Sequence, residues 1–146
     1  MSSILIRPIE IDDEPQWRIL WDGYLVFYNQ PLAEEVTAGL FERLLGEGNH
    51  NGLVAEHEGN LIGFVHYLFH ASTWSLADVC YLEDLFVSET ARAGGVGRKL
   101  IEGVYDASDA HGCRNTYWHT HHHNERARKL YDRIGVLTEF VRYDRT

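Results

Sequence analysis

Residues 81–100, "YLEDLFVSETARAGGVGRKL", decide the fold. The first seven are rich in the branched and aromatic types that favour a strand. Glycines follow at 94, 95 and 97, and then Val96, Leu100, Val104 and Ala107 recur at helical spacing. The segment therefore reads as strand, glycine loop and amphipathic helix. A loop of this kind lets backbone come close to a ligand with no Cβ in the way. The N–H groups that open the helix then converge on one place, which is an anion site. Arg92 and Arg98 add charge suited to phosphate oxygens. The string is not a P-loop, which needs Gly-Lys-Ser/Thr, and its spacing is wrong for the dinucleotide fingerprint. Taken alone, it is also compatible with a plain glycine turn before a helix.

Working outward, "ILIRPI" (4–9) reads as a first strand closed by Pro8. Asp12 or Asp13 is placed to cap a helix carrying Trp17, Leu20, Trp21 and Tyr24 on one face. Val36, Leu40, Phe41, Leu44 and Leu45 mark a second helix ending at Gly46. "GLVAEH" (52–57) and "LIGFVHYLF" (61–69) flank "EGN", a hairpin signal. Beyond the central segment, Gly112 suits the stop of its helix, and "RNTYWHT" (114–120) reads as a strand. Asn124 caps a helix whose Ala127, Leu130, Tyr131 and Ile134 face inward, with Gly135 stopping it. "EFVRY" (139–143) reads as a last strand. One α/β domain over 1–146, with a mixed sheet covered on both faces, is the simplest arrangement.

Composition bounds the function. Thirteen basic residues stand against 22 acidic ones, a formal net charge of −9. That disfavours nucleic acid, which needs a basic face, and favours a cationic partner such as an amine. No apolar run is long enough to span a bilayer, and the first residues lack the pattern of a signal peptide. Two cysteines without ligand spacing point to reduced thiols and a cytoplasmic location.

"YLEDLFV…RAGGVGRKLI" followed by "NERARKLYDRIG" resembles the GNAT superfamily of acetyl-CoA-dependent N-acetyltransferases. Arg92, Gly95 and Gly97 match that family's pyrophosphate loop, and Asn124, Ala127, Tyr131 and Gly135 match its second motif. Nearest in pattern are the fungal histone/polyamine and the spermidine/spermine acetyltransferases. Their order of motifs recurs here in Trp17–Tyr28, Thr73–Trp74, Tyr81–Val87 and Leu130–Gly135. The resemblance implies a mixed, mostly antiparallel sheet of roughly six or seven strands with about four helices on both faces. That sheet would splay between the strands at 80–87 and 114–120. Acetyl-CoA would be the donor. Leu85, Phe86 and Val87 would pair with its pantetheine arm, while Arg92, Ala93, Gly94, Gly95, Val96, Gly97 and Arg98 would cradle the pyrophosphate. Asn124 and Ala127 would line the pantetheine and sulfur end. Ala93 stands where the commoner motif has glycine, a small change at an ordinary φ. The subgroup's dimers form through the last strand, so "TEFVRY" implies a homodimer.

An alkyl ammonium cannot attack a thioester until it loses a proton, and lysine's pKa lies near 10.4. By the same resemblance, Glu83 would be the base, acting through a water, and Tyr131 the acid that protonates the departing thiolate. A backbone N–H near Phe86 or Val87 would serve the oxyanion. Strand alternation puts Glu83 and Asp84 on opposite faces, so one of them faces the cleft. Tyr28, Asp84 and Trp74, the last near Asp78, are candidates to hold the amine. Each aromatic is equally readable as core packing. The acceptor stays open among polyamine, small amino compound and protein lysine. A non-catalytic acyl-CoA-binding domain is the competing class. The run His119, His121, His122, His123 suggests a metal at first sight. Two ligands do not make a zinc site, and acetyl transfer needs no metal, so no metal is expected. His121 or His123 is an alternative base, and the run as a whole reads as a polar lip beside the donor.

Overall fold

The computed structural model describes residues 3–46 and 48–146, except the side chains of Arg92 and Ala93. Its strands are β1 (Leu5–Pro8), β2 (His50–His57), β3 (Asn60–His70), β4 (Val79–Val87) and β5 (Thr116–Tyr117). Its helices are α1 (Glu14–Phe27), α2 (Glu34–Leu45), α3 (Val96–His111) and α4 (Glu125–Ile134), with short 3₁₀ turns at Ile11–Asp13 and Glu89–Gly94. The five strands lie in sequence order, antiparallel from β1 to β4 and parallel between β4 and β5.

Side-chain alternation divides the core in two. One face of the sheet carries Val54 and Phe64 against Trp17, Leu20 and Trp21 of α1 and Leu40, Phe41 and Leu44 of α2. The other carries Ala55, Val65, Cys80 and Leu82 against Val96, Leu100, Ile101 and Val104 of α3. Trp17 is fully buried and stacks on Trp21 at 5.7 Å. The hairpin between β2 and β3 turns on Glu58 and Gly59, both at positive φ. Gly112 closes α3 in the left-handed region, at φ 80°.

Two expectations about the sheet are corrected. Among the described residues the sheet has five strands rather than six or seven, because residues 136–146 form none. A strand needs a ladder, and no strand of this chain lies alongside them among the described residues. Val136, Leu137, Phe140, Val141 and Tyr143 are accordingly left exposed. The segment expected as a strand over 114–120 pairs only through Cys80–Thr116 and Tyr81–Tyr117. Past that point β4 continues to Val87 while β5 has left it. This divergence opens the site.

Asp13 does not cap α1 with its side chain as expected. Its carboxylate instead accepts from the two terminal guanidinium nitrogens of Arg7 at 2.8 Å and from the Glu10 N–H at 2.7 Å. Arg7 also donates to Glu56 on β2, tying the edge of the sheet to the start of α1. Its hydrogen bonds hold the Asp13 carboxyl below the ordinary carboxylate range. That contribution is complete above pH ~4 and is lost as pH falls through the lowered folded value. Arg7→Ala leaves Asp13 buried without its cation and is expected to cost on the order of 3 kcal/mol. Urea denaturation at pH 7 measures it, and the difference from wild type should shrink in acid.

Candidate active site

Where β4 and β5 part, a cavity of about 340 Å³ opens. Helix α1 supplies Tyr24 and Tyr28, β4 supplies Glu83 and Leu85, and α4 supplies Tyr131. The stretch after β5 adds Trp118, His119, Thr120 and His121, and Arg142 reaches in from the C-terminal segment.

Glu83 owes its place to a β-bulge. His66 pairs with Asp84 and Tyr67 with Leu82, so Glu83 has no register partner on β3. The extra residue shifts the alternation by one. Cys80 and Leu82 before it, and Leu85 and Val87 after it, all pack into the α3-side core. Strict alternation between Glu83 and Asp84, the expectation from sequence, therefore does not hold. Asp84 turns inward beneath α1, accepting from the Tyr24 hydroxyl at 2.8 Å and pairing with His66 at 3.0 Å. Glu83 stays exposed on the cavity wall.

Tyr131 lies half-buried on α4, its ring edge-on to Trp118 at 5.5 Å. Burial first, and the neighbouring Tyr28 second, push its phenol up to about 12 from 10.0. It keeps its proton through the whole ordinary pH range. Gly135 stops α4 as expected, its N–H bonded to the Tyr131 carbonyl, and its backbone is extended. A Cβ there would stand 3.0 Å from the Trp118 ring, so close approach explains the glycine. Asn124 caps α4 through the Ala127 N–H at 3.4 Å, as its spacing suggested. It lines a second cavity of about 440 Å³ with Tyr28, His121 and His123.

The glycine loop has the form an anion site requires. Gly95 sits at φ 71° with nothing near its absent side chain, and Gly94 and Gly95 are exposed. Among the described residues Lys99 N–H to Gly95 O is the first bond of α3, whose N-terminal end, with the N–H groups of Val96, Gly97 and Arg98, adjoins the loop. Val96 itself is buried, and a Cβ on Gly97 would meet Leu130 and Val87. The Arg98 side chain pairs with Glu102 at 3.3 Å. The side chains of Arg92 and Ala93, expected at the pyrophosphate, lie outside the described residues. Phe86 faces away from the α3 side and packs on Tyr24 and Phe64.

Trp74 is not part of this assembly. It is 77% exposed in the turn before β4, with Arg114 over its ring at 5.9 Å. Its neighbour Asp78 is engaged by His111 at 3.0 Å. Among the described residues no group of three or more metal-binding side chains converges. His119 and His121 line the cavity instead, and Tyr81 holds His119 at 3.3 Å. The residues that sequence reasoning missed are Tyr24 as a wall of the cleft, His66 behind it, Trp118 and Arg142. The spacing of Tyr24 four residues before Tyr28 was the one available signal.

Comparison with known proteins fits this geometry. Residues 14–136 match the acetyltransferase (GNAT) family model, and the chain belongs to that family. It is an N-acetyltransferase that uses acetyl-CoA as donor. It is 40% identical to the D-amino-acid N-acetyltransferase HPA3 of Saccharomyces cerevisiae over 99% of this chain and 91% of that one. It is 35% identical to the thialysine N-epsilon-acetyltransferase of Bos taurus over 54% of this chain and 47% of the other. A solved aminoglycoside N-acetyltransferase in complex with CoA superposes with a TM-score of 0.87 over 100% of this chain and 96% of that one. At 23% identity that likeness speaks for the fold. Among the described residues no helix is long and apolar enough to cross a membrane.

Proposed function

We propose that the chain acetylates the primary amine of a small acceptor that also carries a carboxylate, an amino acid rather than a polyamine or a protein lysine. The observation that carries this reading is charge placement: Glu83 and Arg142, of opposite sign, line one cavity of about 340 Å³. A carboxylate suits an ammonium, and a guanidinium suits a carboxylate. The names of two relatives, acting on D-amino acids and on thialysine, support it.

Acetyl-CoA supplies the acyl group as a thioester. The β4 edge from Leu85 to Val87, the loop from Gly94 to Arg98, and Asn124 are the residues that would hold it. Glu83, on the cavity wall, takes a proton from the ammonium. Tyr131, which keeps its own proton, gives it to the departing sulfur. Trp118 and Leu85 supply apolar lining. An assay of free thiol release against a panel tests the acceptor. D- and L-amino acids should turn over best, their decarboxylated amines poorly, and spermidine, a histone-tail peptide and an aminoglycoside least. Equal rates with and without the carboxylate would overturn the amino-acid reading.

The same proposal includes a cytoplasmic homodimer. Support comes from free Cys80 and Cys113 and from the apolar side chains of residues 136–146, which this chain leaves uncovered. A second copy would cover them by continuing the sheet. Light scattering should give twice the chain mass, and a chain ending at Gly135 should give the monomer.

A further inference from the structure

The cavity has a wall that the proton transfers above do not use. On α1, the Tyr24 hydroxyl lies near enough to Glu83 and Asp84 for both charges to act on it. Behind it a chain of hydrogen bonds runs into the core. Trp17 Nε1 donates to His66 Nε2 at 3.0 Å. An indole nitrogen can only donate, so His66 Nε2 must accept and the ring proton sits on Nδ1. Nδ1 then donates to Asp84 Oδ2 at 3.0 Å. The other carboxylate oxygen, Oδ1, takes the Tyr24 hydroxyl hydrogen at 2.8 Å. Trp17 is fully buried, His66 is 2% exposed, and the Asp84 side chain is 17% exposed, so water competes little for these bonds.

The direction of every hydrogen is thereby fixed. With its single hydrogen given to Asp84, the Tyr24 oxygen offers only lone pairs to a ligand. An alkyl ammonium offers only hydrogens. Tyr28, whose ring lies 4.9 Å from that of Tyr24, adds a π-face on the same wall.

We propose that Tyr24 binds the acceptor's ammonium through its phenol oxygen, and that Trp17, His66 and Asp84 are positioning residues that keep that oxygen an acceptor. The inference rests on the amine-acetylating reading and adds a division of labour to it. Tyr24 seats the ammonium and Glu83 removes its proton. Burial and the Asp84 charge raise the Tyr24 phenol well above its ordinary range, so it does not ionise and compete as a base.

Steady-state kinetics of Tyr24→Phe test it, since phenylalanine keeps the ring and removes the oxygen. The KM for the amine is expected to rise on the order of tenfold to a hundredfold, the loss of a hydrogen bond to a charged group. The kcat should stay within about threefold and the KM for acetyl-CoA should not move. His66→Leu removes the donor to Asp84 and should reproduce the rise in amine KM. His66→Gln, whose amide can accept from Trp17 and donate to Asp84, should reverse it. An unchanged amine KM in Tyr24→Phe overturns the role, and so does an equal rise in both KM values, which would mark a packing defect. A wild-type chain that turns over no amine would overturn the underlying reading, and this role with it.

Discussion

Tyr131→Phe is expected to lower kcat by about 10² to 10³ while leaving the KM for acetyl-CoA close to wild type, the mark of a lost proton donor. The ring packs against Trp118 and is retained in phenylalanine, so folding should not change. The departing sulfur needs a proton at the moment the bond breaks, and Tyr131 still holds one because its phenol is pushed up to about 12. The wild-type rate should therefore show no descending limb from Tyr131 below roughly pH 11. Stability follows the same sign. A phenol that ionises later in the folded chain than in the unfolded one favours folding fully below pH ~10 and loses that advantage as pH rises toward its folded value. A phenylalanine variant with wild-type kcat would make Tyr131 a core ring and nothing more.

Glu83→Gln carries the second large effect: kcat/KM for the amine at pH 7 should fall by about 10² to 10⁴. The loss should shrink as the assay pH approaches the amine's own pKa, near 10.4 for an alkyl amine, since a free amine needs no base. Glu83 is exposed and has no partner in the β3 ladder, so glutamine is expected to leave the sheet intact. A flat response to pH with near-normal activity would hand the base role to a histidine, of which His119 and His121 share the cavity.

The elements that could be read from sequence are those governed by local rules. Asn124 caps α4, Gly112 ends α3, and Val96, Leu100 and Val104 form its buried stripe. Each depends on a few neighbouring residues. The failures are non-local. Residues 139–143 have strand composition, yet a strand exists only where another lies alongside, and none of this chain does among the described residues. The inward turn of Asp84 depends on His66, eighteen positions earlier. The exposure of Trp74 depends on where the turn before β4 leaves the core. For the site, the glycine loop and Tyr131 stood out by motif, whereas Tyr24 and His66 looked like ordinary packing until their hydrogen bonds fixed a direction.

The bulge at Glu83 has a bearing on how this cleft can evolve. A chain that lost one residue there would regain an unbroken ladder between β3 and β4, which is the more regular sheet. Leu82 and Asp84 would become neighbours, and Cys80, Leu82, Leu85 and Val87 would keep to the α3 side. Such a deletion is conservative for the scaffold and ruinous for the carboxylate. With Glu83 as the proposed base, turnover rather than the ladder would depend on the extra residue.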